Sequence, residues 1–500
     1  DVTLRVWLDI NTPNTQIGKT FNAKITTEGQ AIYTEINLDK SGANEPDLVD
    51  GLIPVVYNES TSNWVKADST NSTSTYQWYD YNNKLWANAV LVTETNRDTY
   101  KNASAGTIIT ESDILAYYVW IPRYKYKVWN INKVIGTDSY NAQNTGIDIV
   151  FENGKKSTGT INCEYNYNVD TSNGGIDLST TTAETCTGSD GEYYTHPAFT
   201  FGNDEVRGFW IGKFELSSSE PTESYGGGET TDLTARILPN VTSWRYNKLS
   251  NFNTVIQNMQ ASNNIYGLNT SRTNTDSHMI TNMEWGAIAY LTNSKYGRCT
   301  NNSCTVVTVN NCSNYVTGIG GNSINESSSS SNCTTETNKY NGAKGVLAST
   351  TGNIAGVYDM SGGAREYVMG NMSHESESYT LYSASSGFSG NWYTVSTAKY
   401  LTTYAYDGDD DINDVNQTAY NRSRLGDAIG EIVLSSGSGW YSESVNFLYS
   451  HMPSFSYMVW FDRGGCIGTN DGAGVFRAFG SYGYSSEYNS SRAILVSLAN

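Results

Sequence analysis

A mixed α+β fold, rich in strands and long loops, is what this sequence predicts, and three observations carry that expectation. Charged residues are only 16% of the chain against 38% hydrophobic, so its polarity comes mainly from Asn, Ser, Thr, Gly and Tyr. Thirty-seven tyrosines and twelve tryptophans supply the apolar area for sizeable cores, and an aromatic, Thr- and Gly-rich balance favours strands over helices. From 346 to 500, short apolar pieces alternate with Gly, Ser and Tyr stretches, with nothing resembling a long helix. At 500 residues, two or three domains are expected.

Residues 1–30 alternate apolar and polar through Val2, Leu4, Val6 and Leu8, then Phe21, Ala23 and Ile25, which predicts two antiparallel strands across an NTPNT turn. Two strands are too few to bury a face alone. Residues 31–116 carry Trp64, Trp78, Trp86 and a turn-like YNNK, the signature of a small β-rich region. ITESDILAYY places Thr110 and Asp113 as in a capping box and predicts a helix start. YVWIPRYKYKVWN (118–130) and GFWIGKFEL (208–216) are strong strands, separated by a polar excursion over 131–190. Residues 251–261 set Val255, Ile256 and Met259 on one helical face, and 282–291 do the same with Met283, Ala287, Tyr290 and Leu291. The Cys-, Ser- and Asn-rich stretch 298–345 is a surface insertion.

The net charge is −19 and the isoelectric point near 4.6. With no clustered Lys or Arg to neutralise phosphates, nucleic acid is excluded as a partner. No apolar run approaches the ~20 residues of a membrane span. Opening on DVTLRVWLD with no signal peptide, the chain is expected to be a mature or trimmed product.

The seven cysteines are Cys163, Cys186, Cys299, Cys304, Cys312, Cys333 and Cys466. Metal ligation prefers tighter pairs accompanied by histidine, so disulfides are the better reading. A Cys163–Cys186 bridge and two more among Cys299, Cys304, Cys312 and Cys333 are expected, which staples 131–190 and 298–345 and implies an oxidising, extracellular setting. Cys466 is left over.

Motifs for catalysis are thin. GIGGNS (318–323) lacks a strand-to-helix context, GFSGN fits a nucleophile elbow only loosely, and His196, His278, His374 and His451 are scattered. In DGDDDIND, Asp407, Asp409 and Asp411 alternate as calcium ligands do. However, Thr418 stands where the twelfth-position Glu would be, and no helices flank the loop, so a solvated acidic loop is preferred. No cofactor is expected, with structural Ca²⁺ as the alternative.

The segment from Trp440 to Arg492 interleaves Tyr, Ser, Asn, Asp and Gly with a sparse framework of Trp460, Phe461, Gly464, Gly465, Gly474, Val475 and Phe476. Tyr provides rigid contact area and Ser, Gly and Asn provide adaptable hydrogen bonds, the palette of antibody paratopes.

Four separated motifs resemble the formylglycine-generating-enzyme (sulfatase-modifying-factor) family of C-type-lectin-like domains: YVWIPRYKYKV, GFWIGKFEL, TNMEWGAIAYL (281–291) and GVYDMSGGAREYVMGN (356–371). The closing RGG (463–465) and SSRAILV (490–496) extend the resemblance across about 380 residues. It implies a C-type-lectin-like domain over 117–500, preceded by the β-rich region 31–116. Two departures matter. Gly363, Ala364 and Arg365 stand where the family signature has Asn-Val-Trp, and the two copper-binding thiolates of the enzyme have no counterpart near Thr469–Gly474, with Cys466 alone and offset. A two-thiolate soft-metal site needs two sulfurs, so the oxidase chemistry is not implied.

The same fold with a variegated C-terminal segment is similar to the variable proteins of diversity-generating retroelements, in which adenine mutagenesis diversifies a ligand-binding surface. That resemblance implies a ligand-binding set of Asp462, Cys466, Ile467, Arg477, Phe479, Ser481, Tyr482, Tyr484, Glu487 and Tyr488. The layout also resembles large surface proteins of Gram-positive gut bacteria, with 1–30 as the end of an upstream β domain. The expected function is therefore non-enzymatic binding or adhesion to a protein or glycan ligand on another cell or surface. The setting would be a bacterial cell surface or virion, with homo-oligomers or filaments within reach. The rivals are a structural subunit of a surface filament or phage tail fibre, and a formylglycine-type oxidase.

Overall fold

The strand Ile114–Pro122 organises the protein, and its sequence explains why. Its nine residues, ILAYYVWIP, are all buried, and a continuous β-branched and aromatic run is stable only where both faces of a strand are covered. It lies inside a seven-stranded sheet whose order is Thr275–Met279, Ala493–Ser497, Gly208–Gly212, Ile114–Pro122, Asn88–Val92, Leu52–Asn58 and Asn63–Lys66. Every neighbouring pair is antiparallel. Trp120 and Trp210 face each other directly in the register, with ring centroids 5.2 Å apart. Such cross-strand aromatic pairs add to area burial in holding the sheet.

This computed structural model describes residues 38–133, 146–166, 168–169, 176–177, 184–268, 274–301, 303–321, 335–372, 383–388, 392–404, 424–429, 431, 433–435, 438–439, 460–467 and 473–498. All fall within the unit Asn37–Asn500. The strands expected over 1–30, the whole 440–459 stretch and the calcium candidates Asp407, Asp409 and Asp411 lie outside the described residues.

Two expectations change. Region 31–116 is not a β region set before the main domain, because its strands Leu52–Asn58, Asn63–Lys66 and Asn88–Val92 continue the same large sheet. Three short strands cannot bury both faces alone; Asn88–Val92 pairs with Ile114–Pro122, and the other two extend the sheet outward from it. The helix expected to start at Thr110 is a single 3-10 turn, Glu111–Asp113, with no side-chain cap bond. The chain then enters the central strand, where β-branched and aromatic residues outweigh the local capping signal. A helix does form at Glu94–Asn102, where Tyr100 is the single buried residue. Its polar sequence offered no periodic stripe to detect.

The two expected helices are present as Leu249–Gln257, followed by a 3-10 turn Asn258–Gln260, and as Asn282–Thr292. The second is buried on every side, as an all-round apolar helix must be. It starts with a complete capping box: Thr281 Oγ1 accepts from the Glu284 amide at 3.2 Å, and Glu284 accepts from the Thr281 amide at 2.8 Å.

A smaller sheet is built on Arg365–Met372. It pairs antiparallel with Trp460–Gly464, which pairs with Gly474–Ser481. Thr402–Tyr404 and Asn489–Ser491 pair with it in parallel. Four residues from three distant motifs meet beside it in a buried ionic cluster. Arg492 Nε donates to Glu366 at 2.8 Å, and both Asp359 and Glu215 lie within its field. Burial raises the pKa of all three carboxyls, with the Arg492 charge opposing the shift.

Cys163 and Cys186 oppose each other in an antiparallel pair of strands and are bridged, as the sequence predicted. Cys299 and Cys304 likewise close a hairpin. Cys312 is also disulfide-bonded, while Cys333 lies outside the described residues. No helix among the described residues is long and apolar enough to cross a membrane.

Candidate ligand-binding face

Residues 482–488 connect Gly474–Ser481 to Asn489–Ser491 without regular structure, so their backbone polar groups need other partners. They find them in two parts of the fold, the 245–249 segment and the Arg365–Met372 strand. The Ser486 carbonyl accepts from the Tyr246 amide at 2.8 Å, and the Gly483 carbonyl from the Leu249 amide at 3.1 Å. The Tyr484 carbonyl accepts from the Tyr367 hydroxyl at 2.7 Å, and the Tyr488 carbonyl from the Arg365 amide at 2.8 Å. Arg245 donates to the Glu487 carbonyl. Gly483 has φ +71°, and a Cβ there would lie 2.8 Å from the Ser386 Cβ, so the tight turn requires glycine.

With the backbone fixed, the side chains project outward. Tyr482, Tyr484 and Tyr488 are 37%, 47% and 43% exposed. The rings of Tyr482 and Tyr484 pack edge to face at 5.7 Å. Next to this loop, Tyr225 and Tyr246 stack at 4.8 Å and are also exposed. The Arg245 guanidinium lies over Tyr315 at 3.7 Å and over Tyr225 at 5.5 Å. Arg365, in place of the indole of the resembled signature, lies over Phe479 at 5.0 Å and Tyr488 at 5.9 Å. Cation–π contacts of this kind hold ring orientation at partly exposed sites.

The backbone beneath these rings is strained. Tyr225, Tyr246 and Tyr315 have φ of 57°, 57° and 55°. For bulky L-residues the left-handed region costs roughly 1–2 kcal/mol each, and such strain concentrates where side chains are held for a purpose.

The residues expected on this face separate into two layers. Tyr482, Tyr484, Glu487 and Tyr488 are exposed, and Phe479 is half-buried. Asp462, Cys466, Ile467, Arg477 and Ser481 are 1%, 3%, 8%, 0% and 7% exposed. Their expected place on a ligand surface is therefore corrected: they lie beneath it. Arg477, Phe479 and Ser481 share one face of their strand with Asp462 of the neighbouring strand, and the rest of the fold covers that face except at Phe479. Asp462 accepts from the Asn489 amide group at 3.4 Å and sits 4.0 Å from Arg365. Burial raises the Asp462 pKa, partly offset by Arg365 and Arg477, and pushes Arg477 down to about 10. Cys466 is a buried thiol outside any disulfide.

Sequence reasoning missed Tyr225, Tyr246, Tyr315, Arg245 and Arg365 as parts of this face. They come from segments separated by more than a hundred residues, and no local periodicity marks them.

Metal binding finds little here. One group of three potential ligands occurs among the described residues, Cys163, Glu184 and Cys186. The two sulfurs are consumed by the disulfide, and Glu184 is bonded to Lys133 at 3.0 Å and to the Leu425 amide at 2.8 Å. No protein-family profile matches this chain, and no curated protein does.

Proposed function

We propose that this chain is an extracellular, non-enzymatic binding protein. Its C-type-lectin-like scaffold displays the 482–488 loop and the neighbouring tyrosines to a protein or glycan ligand on another cell or surface. The observation that carries this reading is the set of five exposed tyrosines on and beside a loop whose backbone is anchored to two parts of the fold, the 245–249 segment and the Arg365–Met372 strand. Exposed, rigid tyrosines are energetically expensive to leave in water and are characteristic of contact surfaces. Two disulfides are in keeping with an oxidising compartment.

The reading is tested with fluorescently labelled chain on intact cells. The variant carrying Tyr482→Ala, Tyr484→Ala and Tyr488→Ala loses cell binding while its melting temperature stays close to wild type. Undiminished binding by that variant overturns the assignment of the face. Diversification of the segment is tested separately in the genome: a reverse transcriptase and a near-identical template repeat beside the gene support it, and their absence refutes it.

A further inference from the structure

A second site, sharing no residue with the tyrosine face, lies where the Thr200–Phe201 and Asp204–Glu205 hairpin meets the start of the Asn282–Thr292 helix and the segment 395–403. The cavity there measures about 860 Å³, within the range of small-molecule sites. Its chemistry narrows the occupant. Two cations reach it, and both are neutralised in place: Lys399 Nζ lies 3.2 Å from Asp276, and Arg424 Nε lies 3.5 Å from Glu184. The Glu284 carboxylate is held by His278 Nε2 at 2.9 Å. A free anion would find no uncompensated cation.

What remains at the mouth is polar and mostly neutral. The hairpin turns through Gly202 at φ +65° and presents Asn203 and Asp204, both exposed. Neither side chain has a hydrogen bond or ion pair among the described residues. An amide beside a carboxylate can donate to one hydroxyl and accept from the next, the arrangement that a vicinal diol matches. Deeper in, Thr402 and Thr403 line the cavity. Met283, Leu401 and the 79%-exposed Val395 add apolar surface, suited to the C–H face of a pyranose.

We infer that this cavity binds a neutral, hydroxyl-rich saccharide, with Asn203 and Asp204 gripping adjacent hydroxyls at its mouth.

The test is saturation-transfer NMR titration of the full chain with lactose, cellobiose, maltose and chitobiose, with citrate and spermidine as charged probes. At least one disaccharide receives saturation. The Asn203→Ala, Asp204→Ala double variant weakens its binding at least about tenfold, the loss expected for two hydrogen bonds. Both residues sit exposed on a hairpin tip, so the fold is kept. The triple tyrosine variant binds the sugar as wild type does. The inference is overturned by transfer to none of the disaccharides, by transfer to citrate or spermidine alone, by binding undiminished in the double variant, or by loss in the tyrosine variant.

Discussion

The Ile114–Pro122 strand and the 482–488 loop are held by opposite means. In the strand, every side chain is buried and packing fixes the structure. In the loop, the backbone is tied to Tyr246, Leu249, Tyr367, Arg365 and Arg245, and the exposed side chains contribute little to its shape. The difference teaches that the loop's side chains can be exchanged without changing the fold, whereas those of the strand cannot. A surface with that property can vary in specificity at little cost in stability.

The sharpest way to break this contrast is to remove packing from the scaffold. Trp285 is fully buried, and its Nε1 donates to the Val475 carbonyl at 2.7 Å. Trp285→Ala is expected to cost about 3–5 kcal/mol in urea unfolding; a cost under 1 kcal/mol would show that the core is not packed as described. On the face, the triple tyrosine variant loses cell binding by roughly a hundredfold, as aromatic hot spots do, measured by titration of labelled protein.

Gly483→Ala sharpens the contrast from the backbone side, since it leaves every tyrosine in place. The positive φ and the approach to Ser386 predict a loss of more than about 1 kcal/mol in thermal stability, with weakened cell binding. Wild-type binding by this variant would mean that the backbone does not set the face.

Two buried histidines give opposite pH signatures within the scaffold. His278, between Asp276 and Glu284 at 2.9 Å each, is desolvated, yet the two carboxylates raise its pKa to about 9. Its contribution is fully present below the unfolded value of about 6.5 and is lost as pH rises through 9. His196 is pushed down to about 3 by burial, and its contribution is lost as pH falls from about 6.5 towards 3. Melting curves of His278→Asn should therefore flatten on the alkaline side, and those of His196→Asn on the acid side. The smallest expected effect is that of single exposed substitutions: Tyr482→Ser or Tyr484→Ser shifts stability by no more than about 0.5 kcal/mol in urea unfolding.

Much of the scaffold was legible before any coordinates. YVWIPRYKYKV, GFWIGKFEL and the Asn282–Thr292 helix were readable because each is a continuous apolar or capped run whose signal is local. The Cys163–Cys186 bridge followed from spacing and composition. The Thr110 capping signal misled because a nearby β-branched stretch competed for the same residues. At the candidate site, Tyr482, Tyr484, Glu487 and Tyr488 are exposed, as a ligand face requires. Asp462, Cys466, Ile467, Arg477 and Ser481 are buried instead, because a segment read without its sheet does not say which of its faces is covered.

By itself, then, the sequence determined which segments must be strands or buried helices, which cysteines staple the first insertion, and that a tyrosine-rich segment near the C-terminus is unusual. Local chemistry suffices for those: period, branching, capping and spacing act over a few residues. The tertiary structure alone decided that 52–92 joins the main sheet, that Asp359, Glu366, Glu215 and Arg492 share one buried cluster, and that Tyr225 and Tyr246 stand beside the 482–488 loop. These are long-range pairings, fixed by which surfaces remain to be buried once each local element has formed.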